Sequence, residues 1–371
     1  MRLSNSRSNS FLRFWVSAGL SLATILSVGP LASAQPPVQL AQSSSLTLLR
    51  NIRHGRNVNA IAFSPNGQML ASAGGDGYLR VWDVNAALQG DENRWMRRLI
   101  AIPGADRHVT SLAFSPDNRY LVTGTFNGDV RVWDINVCEQ DRPVCNSQLI
   151  LEREYYGVAP VVKFSPSGRW LAASNYDGTV TLWNWSNRQV VATLEPETGS
   201  HDGSRLDGRF SSLSFSPDET SLAAGSHDDV MTLWSLDPVA EYERLATIDT
   251  GNGVDTVSFS PDGELLASGN YQGVEVRSIR SRRGRLQIEE HAELEVGRRI
   301  NTLVFLPDGQ SLFTGDNVEH VGLWDIEEEE SLTVIPADQQ HARPVLTVTM
   351  APSGDLLASG STDGVIKFWR P

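Results

Sequence analysis

Residues 62–67 read Ala-Phe-Ser-Pro-Asn-Gly, and residues 82–83, nineteen positions beyond Phe63, read Trp-Asp. Variants of the first motif occur seven times along the 371-residue chain, with Met350 replacing the phenylalanine in the last copy. The seven anchor residues are 44 to 51 positions apart: Phe63, Phe114, Phe164, Phe215, Phe259, Phe305 and Met350. A repeat of this period is typical of propellers, solenoids and other repeat arrays.

A tryptophan follows six of the seven anchors at the same distance, and Ser278 takes its place in the fifth unit. The six are Trp82, Trp133, Trp183, Trp234, Trp324 and Trp369. In the first unit three β-rich runs, 58–63, 69–73 and 78–82, are separated by turns that contain Pro and Gly. A fourth run follows at a variable distance. The pattern predicts an all-β chain of seven blades, each with four antiparallel strands.

The endings Trp82-Asp83, Trp133-Asp134 and Trp324-Asp325, together with the Phe-Ser-Pro turns, make residues 45–371 resemble the WD40 repeat family. The resemblance implies a seven-bladed β-propeller. The seventh unit has no fourth run, since the sequence stops two residues beyond Trp369. Ser45 to Arg50 is a strand-like run with no inner strands of its own. We expect this N-terminal strand to complete the last blade and to cover an edge that would otherwise invite aggregation.

The first 34 residues have the organisation of a secretory signal peptide. A basic start without acidic residues precedes the apolar run 14–28, and Ala32-Ser33-Ala34 forms an A-x-A cleavage site. An uncleaved anchor is the alternative, but fifteen apolar residues fall short of the ~20 that span a bilayer. The sequence predicts cleavage after Ala34, a periplasmic or secreted location, no stable membrane insertion after cleavage, and a linker over residues 35–44.

The charge balance argues against a nucleic-acid partner. The chain has 31 Lys and Arg against 44 Asp and Glu, a net charge of −13, whereas nonspecific nucleic-acid affinity depends on basic residues. Removing the three arginines before residue 35 makes it 28 − 44 = −16. In an oxidising compartment Cys138 and Cys145 favour a loop disulfide worth about 2.5 kcal/mol over a metal or redox pair. We expect a monomer without a cofactor or a bound metal.

Units one and seven each contain a Ser, a His and an Asp that could be mistaken for a catalytic triad. The two sets have the same spacing: His54, Ser72, Asp76 and Trp82, and His341, Ser359, Asp363 and Trp369. The resemblance implies a buried structural network instead, and the Gly-x-Ser-x-Gly elbow of a serine nucleophile is absent. We therefore predict no enzymatic activity. The networks flank the predicted closure, while unit five departs most, with Thr250, Gln272 and Ser278, and its geometry is expected to be less regular.

The resemblance also implies a position for the residue just before the Asp of each network, Asp76 in unit one and Asp363 in unit seven, and for its equivalents in the other units. It places these residues on the rim of one loop face of the propeller, which we call the top face. The seven are Gly75, Phe126, Tyr176, His227, Tyr271, Asn317 and Thr362, so that four successive blades present a ring. Polar residues near the starts of the inner strands accompany them: Asn59, Arg209, Asp255, Arg299 and Asn301. Clustered exposed aromatic residues favour a protein-binding surface. Packing between adjacent blades is the alternative.

These features predict a noncatalytic protein–protein interaction scaffold that binds its partner through the top face. The alternatives are an enzyme or small-ligand propeller that uses the mouth of the central channel, and a structural component of the cell envelope. Weaker signals are a basic loop (Arg277, Arg280, Arg282, Arg283 and Arg285) and an acidic one (327–330). The segment 195–208, with His201, Asp202 and Asp207, lacks the ligand spacing of a calcium loop.

Overall fold

The computed structural model describes residues 46–90, 95–102, 108–137, 147–151, 160–175, 177–196, 209–282, 285–333 and 335–371. These residues form 28 β-strands and one helix, α1 (Val84–Gln89). The predicted signal peptide, the linker and both cysteines lie outside the described residues, as do Tyr176, His201, Asp202 and Asp207. Within the described part, no helix is long and apolar enough to cross a membrane.

The strands form seven four-stranded antiparallel sheets, the blades. The first strand, β1 (Thr47–Arg53), belongs to the last blade. Blades one to three contain β2 (Val58–Phe63), β3 (Met69–Gly74), β4 (Tyr78–Asp83) and β5 (Met96–Ala101); β6 (Val109–Phe114), β7 (Tyr120–Thr125), β8 (Val130–Asp134) and β9 (Ser147–Leu151); and β10 (Val162–Phe164), β11 (Trp170–Ser174), β12 (Val180–Asn184) and β13 (Gln189–Leu194).

Blades four to seven follow in the same order along the chain. They contain β14 (Phe210–Phe215), β15 (Ser221–Ser226), β16 (Val230–Ser235) and β17 (Arg244–Asp249); β18 (Thr256–Phe259), β19 (Leu265–Gly269), β20 (Val274–Arg282) and β21 (Arg285–Leu294); β22 (Ile300–Phe305), β23 (Ser311–Asp316), β24 (Val321–Asp325) and β25 (Glu330–Ser331); and β26 (Val345–Met350), β27 (Leu357–Ser361) and β28 (Val365–Arg370). The seven-bladed architecture is the predicted one.

Strand β1 supplies the outer strand of the last blade, whose order is β1-β28-β27-β26. Its pairing with β28 runs from Thr47 opposite Arg370 to Arg53 opposite Val365. The strand therefore extends three residues beyond the predicted end at Arg50. Ile52 is 1% exposed and packs in a cluster with residues of blade one, so β1 also joins the two blades through apolar burial.

Side-chain hydroxyls tie the inner strands of neighbouring blades together. The amide of Val162 donates to Ser111 Oγ at 3.0 Å, and that of Val257 to Ser212 Oγ at the same distance. The amide of Val348 donates to Thr302 at 3.2 Å. Across the closure, Ile61 donates to Thr347 Oγ1 at 3.3 Å. The inner strands pack side by side around the ring, with β26 beside β2, and enclose a central channel of about 460 Å³.

The recurring tryptophan anchors the third strand of several blades to the second. In blades one, two, six and seven its indole N–H donates to Ser72, Thr123, Thr314 and Ser359 at 2.7 to 2.9 Å. Blade five has Ser278 at this position, but its four strands form a continuous sheet with the longest outer hairpin. Leu286 and Ile288 of that hairpin pack on the core. The expectation of irregular geometry in blade five is wrong because hairpin packing replaces the indole.

Candidate functional site

The two networks are brought together as their spacing predicts. In blade one, His54 Nδ1 lies 2.8 Å from Ser72 Oγ, and the other ring nitrogen lies 3.6 Å from Asp76, which pairs with Arg80 at 2.7 Å. In blade seven, His341 contacts Ser359 at 2.8 Å and Asp363 at 3.1 Å. Ser72 and Ser359 are fully buried and also accept the indole N–H of Trp82 and Trp369. Hydroxyls enclosed in this way are shielded from any substrate.

Burial sets the protonation of both histidines. It lowers the pKa of His54 and of His341 below the ordinary value, against the hydrogen bonds to Asp76 and Asp363, which raise it. Burial by itself raises the Asp76 pKa, but the hydrogen bond to His54 and the charge of Arg80 outweigh it and lower the pKa to about 2. The geometry fits a rigid polar network that stabilises the blade.

Three of the predicted top-rim rings lie at exposed positions. Phe126 is 46% exposed and Tyr271 54%, and the side chain of His227 is 49% exposed. Gly75 occupies the same position in blade one, where a Cβ atom would lie 2.2 Å from the Asn57 side-chain oxygen. A larger residue there would require the Asn57 side chain to move.

A salt bridge between blades five and six contacts two of these rings, His227 and Tyr271. Arg299 donates to both carboxylate oxygens of Asp255, at 2.7 and 2.5 Å. Asp255 is 6% exposed, so this bidentate pair is shielded from solvent on the carboxylate side. The hydrogen bond to Asp255 raises the Arg299 pKa, so the guanidinium stays charged. His227 of blade four lies 3.6 Å from the same carboxylate, and the Arg299 guanidinium lies 4.5 Å from the centre of the Tyr271 ring.

We call His227, Asp255, Tyr271 and Arg299 the rim cluster. Its members come from three blades and cover 73 positions of the sequence, yet they form one connected set of side chains. The cation–π contact and the salt bridge fix the guanidinium between the ring and the carboxylate. The outer faces of Tyr271 and His227 remain open to a partner.

The other predicted polar residues contribute to the ring itself. The side-chain amides of Asn59 and Asn301 donate to the carbonyls of Val109 and Val345 in the next blade, each at 2.9 Å. Both asparagines occupy β-bulges of their inner strands, which turn their side chains toward the channel. Arg209 is half-buried just ahead of β14. For Asn59 and Asn301 the structure therefore shows the alternative stated above, in which the side chain makes a contact between adjacent blades.

Sequence reasoning missed a second polar set in blade six. Asp316 accepts hydrogen bonds from the amides of Val318, Glu319 and His320, and its other oxygen contacts Arg298 at 3.3 Å and the His320 ring at 3.2 Å. The Asp lies at the end of β23, two residues before the position that carries Asp in blades one and seven. A search for the regular spacing found Val318 there instead.

Within the part of the chain that the structure describes, the charged loops and the metal-ligating residue types form no further site. Arg277 pairs with Glu275 of its own strand at 3.0 Å, while the side chains of Arg282, Arg283 and Arg285 lie outside the described part. In the acidic loop, Glu329 accepts a hydrogen bond from the Glu293 amide of blade five. Across the described ranges, no group of three His, Cys, Asp or Glu side chains could hold a metal ion.

The family model described as "WD domain, G-beta repeat" matches six segments of the chain, residues 46–83, 97–134, 156–184, 198–235, 243–274 and 332–370. Together they cover more than half of the sequence. The chain belongs to the WD40 repeat family. No matched segment covers residues 275–331, which contain blade six, so the structure adds the seventh member of the ring.

Similar curated proteins cover only parts of this WD40 chain. Periodic tryptophan protein 2 of Arabidopsis thaliana is 25% identical over 230 residues, 61% of this chain and 22% of that protein. Small ribosomal subunit protein RACK1 of Caenorhabditis elegans is 32% identical over 85 residues, 23% of each chain. Target of rapamycin complex subunit wat1 of Schizosaccharomyces pombe is 33% identical over 87 residues, 23% of this chain and 25% of that one. The chain thus spans a quarter or less of the length of these relatives.

The buried histidines should make the stability depend on pH. Because their folded-state pKa values lie below the ordinary ~6.5, the unfolded chain binds more protons, and stability is fully present above that pH and falls as the pH drops below it. The difference in free energy of unfolding between wild type and His341→Gln should therefore shrink from pH 7.5 to pH 5.5.

Urea unfolding of both proteins at the two pH values measures this difference. The matched control is His291→Gln, which makes the same substitution at an exposed histidine on β21. An unchanged pH dependence in His341→Gln would show that the histidine titrates alike in the folded and unfolded chain.

The two halves of the rim salt bridge should respond differently to substitution. Arg299→Met leaves the buried Asp255 carboxylate without its cation, whereas Asp255→Asn leaves an arginine that is 33% exposed and can turn toward solvent. We expect Arg299→Met to cost about 2 kcal/mol or more and Asp255→Asn about half as much. Thermal unfolding of the single and double variants gives the coupling energy, and equal costs for the two single variants would contradict this geometry.

Proposed function

We propose that this WD40 propeller is a noncatalytic protein–protein interaction scaffold that acts in the periplasm or outside the cell. The partner binds the top face, with the rim cluster and Phe126 as its contact residues. The observation that carries the proposal is the exposure of His227 and Tyr271 beside the Asp255–Arg299 pair, with Phe126 also exposed on blade two. Tyr and Arg are the residue types that contribute most binding energy at protein interfaces.

The rim cluster is prepared for binding before a partner arrives. Stacking on Tyr271 and two hydrogen bonds to Asp255 already restrict the Arg299 side chain. A partner that docks there loses less conformational entropy than it would against a free arginine. The ring of Tyr271 supplies contact area with few rotatable bonds. These properties favour recognition by contact over chemical turnover.

The position of the rings favours a protein over a small ligand. Phe126 lies on blade two and the rim cluster spans blades four to six, so the contact residues surround the channel mouth instead of lining a closed pocket. A small molecule could contact only one of these separated exposed rings at a time, whereas a protein surface can cover several.

The relatives support an interaction role. One is named as a small ribosomal subunit protein and another as a subunit of a target of rapamycin complex. Each of these names describes a component of a larger assembly. We infer that this chain too presents surfaces of its propeller to other proteins.

The export part of the proposal is supported by residues 1–34. Their basic start, apolar run and Ala-Ser-Ala ending are the features that a signal peptidase recognises. Recovery of a chain that begins at Gln35 from the periplasmic or culture fraction is the expected result. A chain that begins at Met1 and stays in the cytoplasm would overturn this part and leave the binding face to be tested separately.

Capture from an envelope fraction tests the top face. Immobilised wild-type protein should retain a stoichiometric partner, and the double variant His227→Ala plus Tyr271→Ala should lower its affinity at least about tenfold, because each truncated ring is a contact residue. The control is Val239→Ser, which changes a 90% exposed residue in the loop between β16 and β17.

Binding of the identified partner is then measured by calorimetry for each variant. The proposal requires the Val239→Ser control to bind like the wild type and the double variant to fold with an unchanged melting temperature. Equal affinity of the double variant and the wild type would exclude the rim cluster as the contact.

A further inference from the structure

The chain is almost free of lysine. Of its 31 basic residues only Lys163 and Lys367 are lysines, and the others are arginines. Lys367 is 6% exposed, and its ammonium donates to the carbonyls of Gln339 and Gln340 at 2.8 Å each. Lys163 has no such partner: within the described ranges its amine takes part in no hydrogen bond or ion pair.

Lys163 lies on the wall of the central channel. It is the middle residue of β10, one position before the anchor Phe164. The equivalent residues of the other six blades are small and also line the channel: Ala62, Ala113, Ser214, Ser258, Val304 and Thr349. Lys163 is therefore the one long side chain in this layer, and the layer leaves space for a ligand beside it.

The charge of Lys163 is not balanced by the channel wall. The wall's other charged residue in the described part is Asp255, which Arg299 already neutralises. Asp255 precedes Ser258, the blade-five residue of the Lys163 layer, by three positions. Asp255 therefore lies at the top mouth of the channel, roughly 10 Å from that layer along the channel. The side chain of Lys163 is exposed to the open channel, and desolvation by the surrounding ring of inner strands lowers the pKa of its amine.

We propose that the central channel binds a small hydroxylated monocarboxylate whose carboxylate pairs with the Lys163 ammonium. The cavity of about 460 Å³ has the size of a typical small-molecule site. The charge of the ligand follows from the wall: one cation balances one carboxylate, whereas a polyphosphate would need several. This site is separate from the top-face contact and stands if that contact fails.

The hydroxyls of the same layer explain the preference for a hydroxylated ligand. Ser214 Oγ accepts the Phe259 amide at 3.1 Å, which leaves its own proton for a ligand oxygen. Ser258 and Thr349 add two further hydroxyls to the layer. Val304 and two alanines supply the apolar part of the wall. A ligand whose carboxylate pairs with Lys163 thus has hydroxyl groups of the same layer available for its own hydroxyls.

Because the chain has only two lysines, NMR signals of labelled lysine side chains can report directly on ligand binding at Lys163. Protein labelled with ¹³C-lysine gives two sets of side-chain NMR signals, assigned with Lys163→Arg, and Lys367 serves as the internal control. Millimolar gluconate, a hydroxylated monocarboxylate, should shift the Lys163 Cε signal and raise the pKa of its amine, because the carboxylate stabilises the ammonium. The Lys367 signals should not move.

Three controls decide the result. Lys163→Met should weaken gluconate binding at least about tenfold in calorimetry. Neutral glucose should leave the Lys163 signal unchanged, and inorganic phosphate should bind more weakly than gluconate. An unmoved Lys163 signal, an equal shift with glucose, tighter binding of phosphate, or gluconate binding by Lys163→Met equal to that of the wild type would each overturn the proposal. The NMR titration itself uses the wild-type protein, and the Lys163→Arg variant serves only to assign the signals.

Discussion

The pairing of β1 with β28 is the constraint on which the rest of this propeller depends. Six blades are built from consecutive strands, but the last takes three strands from the end of the chain and one from near its start. Without β1, the donors and acceptors along β28 would form an open sheet edge. The pairing also brings Ile52 into the core between blades seven and one. Strand hydrogen bonds and apolar burial thus close the ring at the same place.

Closure matters to function because every candidate site is assembled from several blades. The rim cluster takes His227 from blade four, Asp255 and Tyr271 from blade five, and Arg299 from blade six. The channel layer around Lys163 takes one residue from each of the seven blades. The hydroxyl contacts between inner strands set these distances, and the contact from Ile61 to Thr347 exists only in a closed ring. A loosened closure would therefore disturb both sites without touching their residues.

Sequence spacing is sufficient to predict the architecture, because the Phe and Trp anchors recur in one register. It is also sufficient to predict the networks, because the buried His, Ser and Trp of one blade must form hydrogen bonds with one another. It was not sufficient for contacts between blades. Asp255 and Arg299 were both predicted on the top face, but their bidentate pairing joins residues 44 positions apart. Asn59 and Asn301 were predicted as contact residues, yet their amides are used by neighbouring carbonyls. The sequence around Lys163 is that of an ordinary strand lysine and does not show that this residue lines the central channel.

Hydrogen exchange on the intact protein tests the closure most directly. Peptides that cover residues 47–53 and 357–361 report the opening of β1 and of β27, a central strand of the same blade. If β1 locks the ring, its amides exchange only when the whole propeller unfolds, and the two peptides give the same free energy of opening. A free energy for β1 several kcal/mol below that of β27 would mean that this strand detaches alone and that the ring holds without it.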